Sequence, residues 1–193
     1  MYLALLIRLN LALASASLLA SCSVYAPLQP SAPALREKGQ AEVAGSAYLA
    51  GRLEGSATYA PGRHVLVRAA GGWQPGRSDS ASRHFRIRQL ELGAGTYWPL
   101  SEQWVVGGLG GYGRGNSSRH FTRGVFESIS DSARTYRYEA RFRKLYGEVF
   151  AVYEGEWTTY GFAYRLSRVS FASLTNNGMP VGLRYMTRSE PMV

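Results

Sequence analysis

From residue 41 onward, apolar residues alternate with small or polar ones at a period of two, as expected for strands with one apolar face. The pattern predicts seven strands, over 41–50, 53–60, 64–73, 85–98, 103–113, 137–153 and 156–171. In the last, Tyr160, Phe162, Tyr164 and Leu166 alternate with Gly161, Ala163, Arg165 and Ser167. The step from Leu166 to Val169 changes parity and predicts a bulge at Ser167-Arg168. Pro61-Gly62, residues 99–102 and Glu154-Gly155 read as short turns, and 74–83, 114–136 and 172–180 as longer polar connections. An up-and-down meander puts the short turns at one end and the long connections at the other. The short link Gly51-Arg52 is the exception at the long end.

The face opposite the apolar one carries Gly, Ser and Thr with scattered charges, namely Glu54, Arg68, Glu91 and Arg165. Charges facing lipid are costly, whereas charges inside a narrow barrel can pair, so these four are expected in the interior. Trp73, Trp98, Trp104 and Trp157 fall near strand ends, where an aromatic girdle belongs. The expected fold is therefore all-β: a small antiparallel up-and-down transmembrane β-barrel of about eight strands. Its last strand is expected to be short or missing, or the chain truncated, because 181–186 offers only a short strand before Glu190-Pro191-Met192-Val193. A soluble lipocalin-like barrel, tethered by lipid and holding an apolar ligand, is the alternative, since it would alternate too.

The start of the chain has a different character. Residues 1–21 hold one charge, Arg8, then an apolar run through Leu11-Ala12-Leu13-Ala14 that closes on Leu19-Ala20-Ser21 before Cys22. Small residues before the cleavage point are what a signal peptidase accepts. Leu19-Ala20-Ser21-Cys22 resembles the lipobox of bacterial lipoproteins, and the resemblance implies that Cys22 is acylated and becomes the mature N-terminus. Residues 22–40, with Pro27, Pro30 and Pro33, read as an extended, unpaired tether, and 41–193 as the barrel. The lipobox, the Pro-rich tether and segments such as Glu37-Lys38-Gly39-Gln40-Ala41-Glu42-Val43 and Gly108-Leu109-Gly110-Gly111-Tyr112-Gly113 together resemble the small outer-membrane β-barrel lipoproteins of Bacteroidetes. The nearest well-understood architecture is the OmpA/OmpX type. The resemblance implies a Gram-negative outer membrane, reached through a lipid anchor such as palmitate. It brings no activity that transfers residue by residue.

Composition adds to this picture. Gly (22) and Tyr (13) are abundant, favouring strands, and a single cysteine rules out a disulfide within the chain. The formal charge is +9, or +8 once Arg8 is removed with the leader. In an exported protein this charge points to phosphorylated lipid headgroups, lipopolysaccharide among them, and not to nucleic acid. Arg114, Arg119, Arg123, Arg134 and Arg137 in the longest polar stretch are the candidate surface anion-binding residues. His64, His84 and His120 have no metal-ligand spacing, so neither metal nor cofactor is expected. Ser117, Ser118, Arg119 and His120 offer a weak lead toward a lipid A-modifying enzyme, but the expectation is a monomeric structural or surface-binding protein without catalysis. Gly107 to Gly115 lacks a following helix, so its glycines are expected to serve close packing and not phosphate binding.

Overall fold

Because side chains alternate on every segment, each strand can present the same two faces to both its neighbours, and the chain builds one antiparallel sheet. The computed structural model describes residues 24–76, 83–123 and 134–192. The strands are β1 (Ala41–Ala47), β2 (Leu53–Gly62), β3 (Val65–Pro75), β4 (Arg83–Pro99), β5 (Trp104–Arg123), β6 (Arg134–Glu154), β7 (Thr159–Asn176), β8 (Met179–Pro180) and β9 (Tyr185–Met192). β1 through β7 pair in chain order, and β7 also pairs with β8 and β9. No helix occurs among the described residues.

The sheet is strongly curled. Arg68 of β3 reaches Glu148 of β6, and Glu91 of β4 reaches Arg165 of β7, so side chains three strands apart meet on the concave side. β1 and β9 are the two edges and share no ladder, so the sheet does not close by hydrogen bonds. Ala44 of β1 and Met192 of β9 nevertheless line one cleft of about 280 Å³.

Several boundaries differ from expectation. The last strand is neither short nor missing: β9 runs eight residues, with Arg165 opposite Glu190 and Val169 opposite Met186. Its Arg, Ser, Glu and Pro carry little strand preference, and an edge position tolerates Pro191. The expected connection 114–136 is mostly strand. Ser117 lies opposite Ile87 on one side and Ala140 on the other, and pairing on both edges holds a stretch with no hydrophobic signal of its own. The bulge lies elsewhere: Phe171 opposes Phe142 and Ser173 opposes Arg141, which leaves Ala172 as the extra residue. Val169 consequently faces inward and is fully buried. β2 runs through Pro61-Gly62, and the turn falls one step later, with His64 at φ 61°.

The glycine run on β5 packs under aromatics from β6. A Cβ on Gly107 would lie 2.3 Å from Phe150, on Gly111 2.5 Å from Tyr146, and on Gly115 2.6 Å from Phe142. Those rings therefore occupy the space that side chains on β5 would need, on the concave side.

The Pro-rich segment is extended, as its composition predicts, but it is not free. It runs along the concave side and fills it. Tyr25, Leu28 and Leu35 are among the most buried side chains of the chain. Leu28 packs where Gly72 has no Cβ, and Ala32 sits over Gly161. Prolines cannot donate hydrogen bonds, but several of the other backbone groups find partners on the strands. The amides of Gln29, Ser31 and Ala34 donate to the carboxylates of Glu54, Glu148 and Glu42 at 3.0, 3.1 and 3.0 Å. The carbonyls of Ala26, Leu28 and Gln29 accept from Gln89, Arg165 and Arg68 at 2.9, 3.2 and 3.1 Å.

Candidate functional site

Parity on each strand decides which charges the concave side receives. Arg68, Glu91 and Arg165 lie there, together with Lys144, Glu148 and Glu190, and all six are buried. Arg165 is the hub. Its Nε donates to Glu148 at 2.6 Å, Nη2 lies 2.5 Å from the same carboxylate, and Nη1 lies 3.2 Å from Glu91 and 3.8 Å from Glu190. Lys144 bonds Glu91, and Arg68 lies 3.5 Å from Glu148. The Arg165 guanidinium also stands 4.7 Å from the centre of the Tyr146 ring. Three cations face three carboxylates, so the formal charges of the cluster balance. Glu54 belongs to a separate pair with Arg52 at 2.5 Å and does not meet Arg68 or Arg165. In the β1–β2 turn the Tyr48 hydroxyl is pushed up, first by burial and then by the Glu54 carboxylate.

The outward face reverses this chemistry. Leu53, Tyr59, Val67, Leu90, Leu92, Tyr112, Leu145, Val149, Phe162, Tyr164 and Leu166 are all exposed. Toward the short turns stand Trp98, Trp104, Tyr153 and Tyr160, with Trp104 and Tyr153 in ring contact at 5.1 Å. Toward the long connections the outward positions become arginine: Arg86 and Arg88 on β4, Arg114 on β5, Arg141 and Arg143 on β6, and Arg168 on β7. Arg114 and Arg143 are direct cross-strand partners, a like-charge pairing that is unfavourable by itself. Ten residues separate Trp104 from Arg114. At about 3.3 Å per residue that is about 33 Å along the strand. A strand tilted by about 40° would therefore place the aromatic and arginine rows about 25 Å apart in height.

No family model, curated protein or solved structure matches this chain.

The five arginines singled out from sequence do not form one site. Arg114 faces outward in the row just described. Arg119 lies on the opposite face, over the rings of Phe85 and Phe121. Arg137 pairs with Glu139 at 2.7 Å. Arg123 and Arg134 oppose each other at the ends of β5 and β6. Alternation places buried Ser117 with Arg119 on one face of β5, and Ser118 with His120 on the other. His64 stacks on Trp98 at 4.0 Å and His84 contacts His120 at 5.9 Å. Among the described residues no three metal-ligand side chains gather. Cys22 and the leader lie outside the described residues.

Sequence reasoning missed Lys144, Glu148 and the outward arginines other than Arg114, although their signal was present. Lys144 and Glu148 share parity with Phe142, Tyr146 and Phe150, and Arg86 and Arg88 share parity with Leu90, Leu92 and Trp98.

Proposed function

We propose that this protein is an outer-membrane β-barrel lipoprotein with a structural or surface-binding role and no catalysis, anchored additionally through acylated Cys22. The observation that carries the reading is the reversed polarity of the sheet: a balanced ion network on the concave side and a belt of exposed Leu, Val, Phe and Tyr outside. A water-soluble barrel has the opposite arrangement. The interval between the aromatic and arginine rows fits the roughly 25 Å apolar band of outer-membrane barrels. Hydrocarbon leaves edge N–H and C=O groups unsatisfied, so the reading requires β1 and β9 to meet in the membrane. The outward row of Arg88, Arg114, Arg143 and Arg168 suits the phosphates of outer-leaflet glycolipids, which would relieve the Arg114–Arg143 pairing. The interior is occupied by the protein's own N-terminal segment, which argues against free conduction of solutes and against a cup for an apolar ligand.

The test is extraction. Cys22→Ala, expressed in a Gram-negative host, should remain in the outer-membrane pellet after an alkaline carbonate wash, because the belt holds it. Release as a folded periplasmic protein would sink this reading and favour the lipid-tethered soluble barrel.

A further inference from the structure

The path of the N-terminal segment fixes the end of the sheet from which the preceding residues leave. Its contacts descend in chain order. Tyr25 packs edge-on against Phe142 at 5.2 Å and joins Ile87 and Val169 in one cluster, toward the long connections. Leu28, Gln29 and Ser31 meet Arg165, Arg68 and Glu148 midway. Leu35 packs with Ala60, Leu66, Tyr97 and Val152. Arg36 then reaches Glu154 at 2.5 Å and the Ser101 carbonyl at 2.8 Å, both at the short-turn end. Gly39 donates to the Ala60 carbonyl, and the chain reverses into β1.

The level of Tyr25 is also defined. Its neighbours Ile87, Phe142 and Val169 are adjacent in sequence to Arg88, Arg143 and Arg168, so Tyr25 sits inside the sheet at the height of the outward arginine row. The rim is low nearby. The β1–β2 turn spans only residues 48–52, and Leu53 just beyond it opposes Trp73, which in turn opposes Arg88. Arg52 of that turn donates to the carbonyls of Ala26 and Pro27, so the segment passes directly beside this low rim. Elsewhere β5 and β6 stand nine or more residues above the row, out to Arg123 and Arg134. The low β1–β2 turn at the long-connection end therefore lies directly beside the N-terminal segment.

We propose that the N-terminal segment threads the concave side so that Cys22 emerges over the β1–β2 turn, with its acyl chains in the leaflet on the long-connection side. Cys22 is three residues from Tyr25, a reach of at most about 10 Å. The described end of the segment thus lies at the height of the arginine row, which puts the anchor and the long connections on one face. The inference rests on the barrel-lipoprotein reading above.

The test places the same epitope tag at three positions in three full-length variants: between Ser23 and Val24, within 124–133, and between Leu100 and Ser101. Antibody labelling is compared on intact and permeabilised cells. The first two tags should label intact cells, and the third only after permeabilisation. If the first two stay together but both need permeabilisation while the third does not, the threading stands and the orientation of the barrel is reversed. Labelling of the Ser23–Val24 tag on the opposite side from the 124–133 tag would overturn the proposal. Identical behaviour of all three would remove the membrane reading and the proposal with it. A tag-free check is Leu28→Cys with Gly72→Cys, which should form a disulfide in most of the membrane-inserted protein on diamide oxidation. A protein that inserts and stays uncrosslinked would also overturn the threading.

Discussion

Arg165→Ala is expected to destabilise the protein more than any other single substitution. Arg165 is fully buried, holds Glu148 through two nitrogens, touches Glu91, lies near Glu190, and donates to the Leu28 carbonyl. Without it, three buried carboxylates share only Lys144 and Arg68. Breaking a buried pair by removing one partner costs about 3–5 kcal/mol, because it leaves a buried charge uncompensated. The midpoint of the heat-modifiable gel shift should fall accordingly. Arg165→Lys should lie between the two, since it keeps the charge and loses the fork that spans Glu91 and Glu148. Arg141→Ala, on the outward face, should change stability by no more than about 0.5 kcal/mol. Equal effects of Arg165→Ala and Arg141→Ala would mean that Arg165 is not inside.

Leu28→Ala is the second large effect expected, and it separates a packed segment from a floppy tether. The Leu28 side chain is buried in the space left by Gly72, and the strands around it are held by the Arg165 network. Truncating a buried leucine costs about 2–5 kcal/mol through lost burial and the cavity left behind. Urea unfolding of the protein in detergent or vesicles should show that loss. Leu49→Ala, at a fully exposed leucine in the β1–β2 turn, should show nearly none. An unchanged midpoint for Leu28→Ala would return residues 24–36 to the role of a simple tether.

The comparison of sequence with structure divides along one physical line. Period-two alternation is local, so it located β1 through β4, β6 and β7 and put Arg68, Glu91 and Arg165 on the face opposite the leucines and tyrosines. It did not reach the outer half of β5, where Asn116, Ser117 and Ser118 are polar on both faces and hold their place by pairing with β4 and β6. It also misjudged β9, whose strand is held at an edge by β7 and by Glu190 near Arg165. The parity step after Leu166 looked like a bulge. Instead Val169 turns inward into the buried cluster that holds Tyr25, 144 positions away, an association that no local pattern encodes. The same holds for the N-terminal segment. Its prolines announce an extended chain, but the grooves that receive it, at Gly72 and Gly161, belong to distant strands.

Reversed polarity is the central claim, and spin-label accessibility tests it most directly. On a Cys22→Ala background, Leu92→Cys, Val149→Cys and Glu139→Cys would each carry a nitroxide in protein reconstituted into phospholipid vesicles. Leu92 and Val149 lie midway between the aromatic and arginine rows, and Glu139 lies on β6 beyond the arginines. The account predicts strong relaxation of the first two labels by oxygen and little by a water-soluble nickel complex, with the reverse at position 139. Free access of the nickel complex to positions 92 and 149 in folded protein would contradict it, because the apolar face would then be in water.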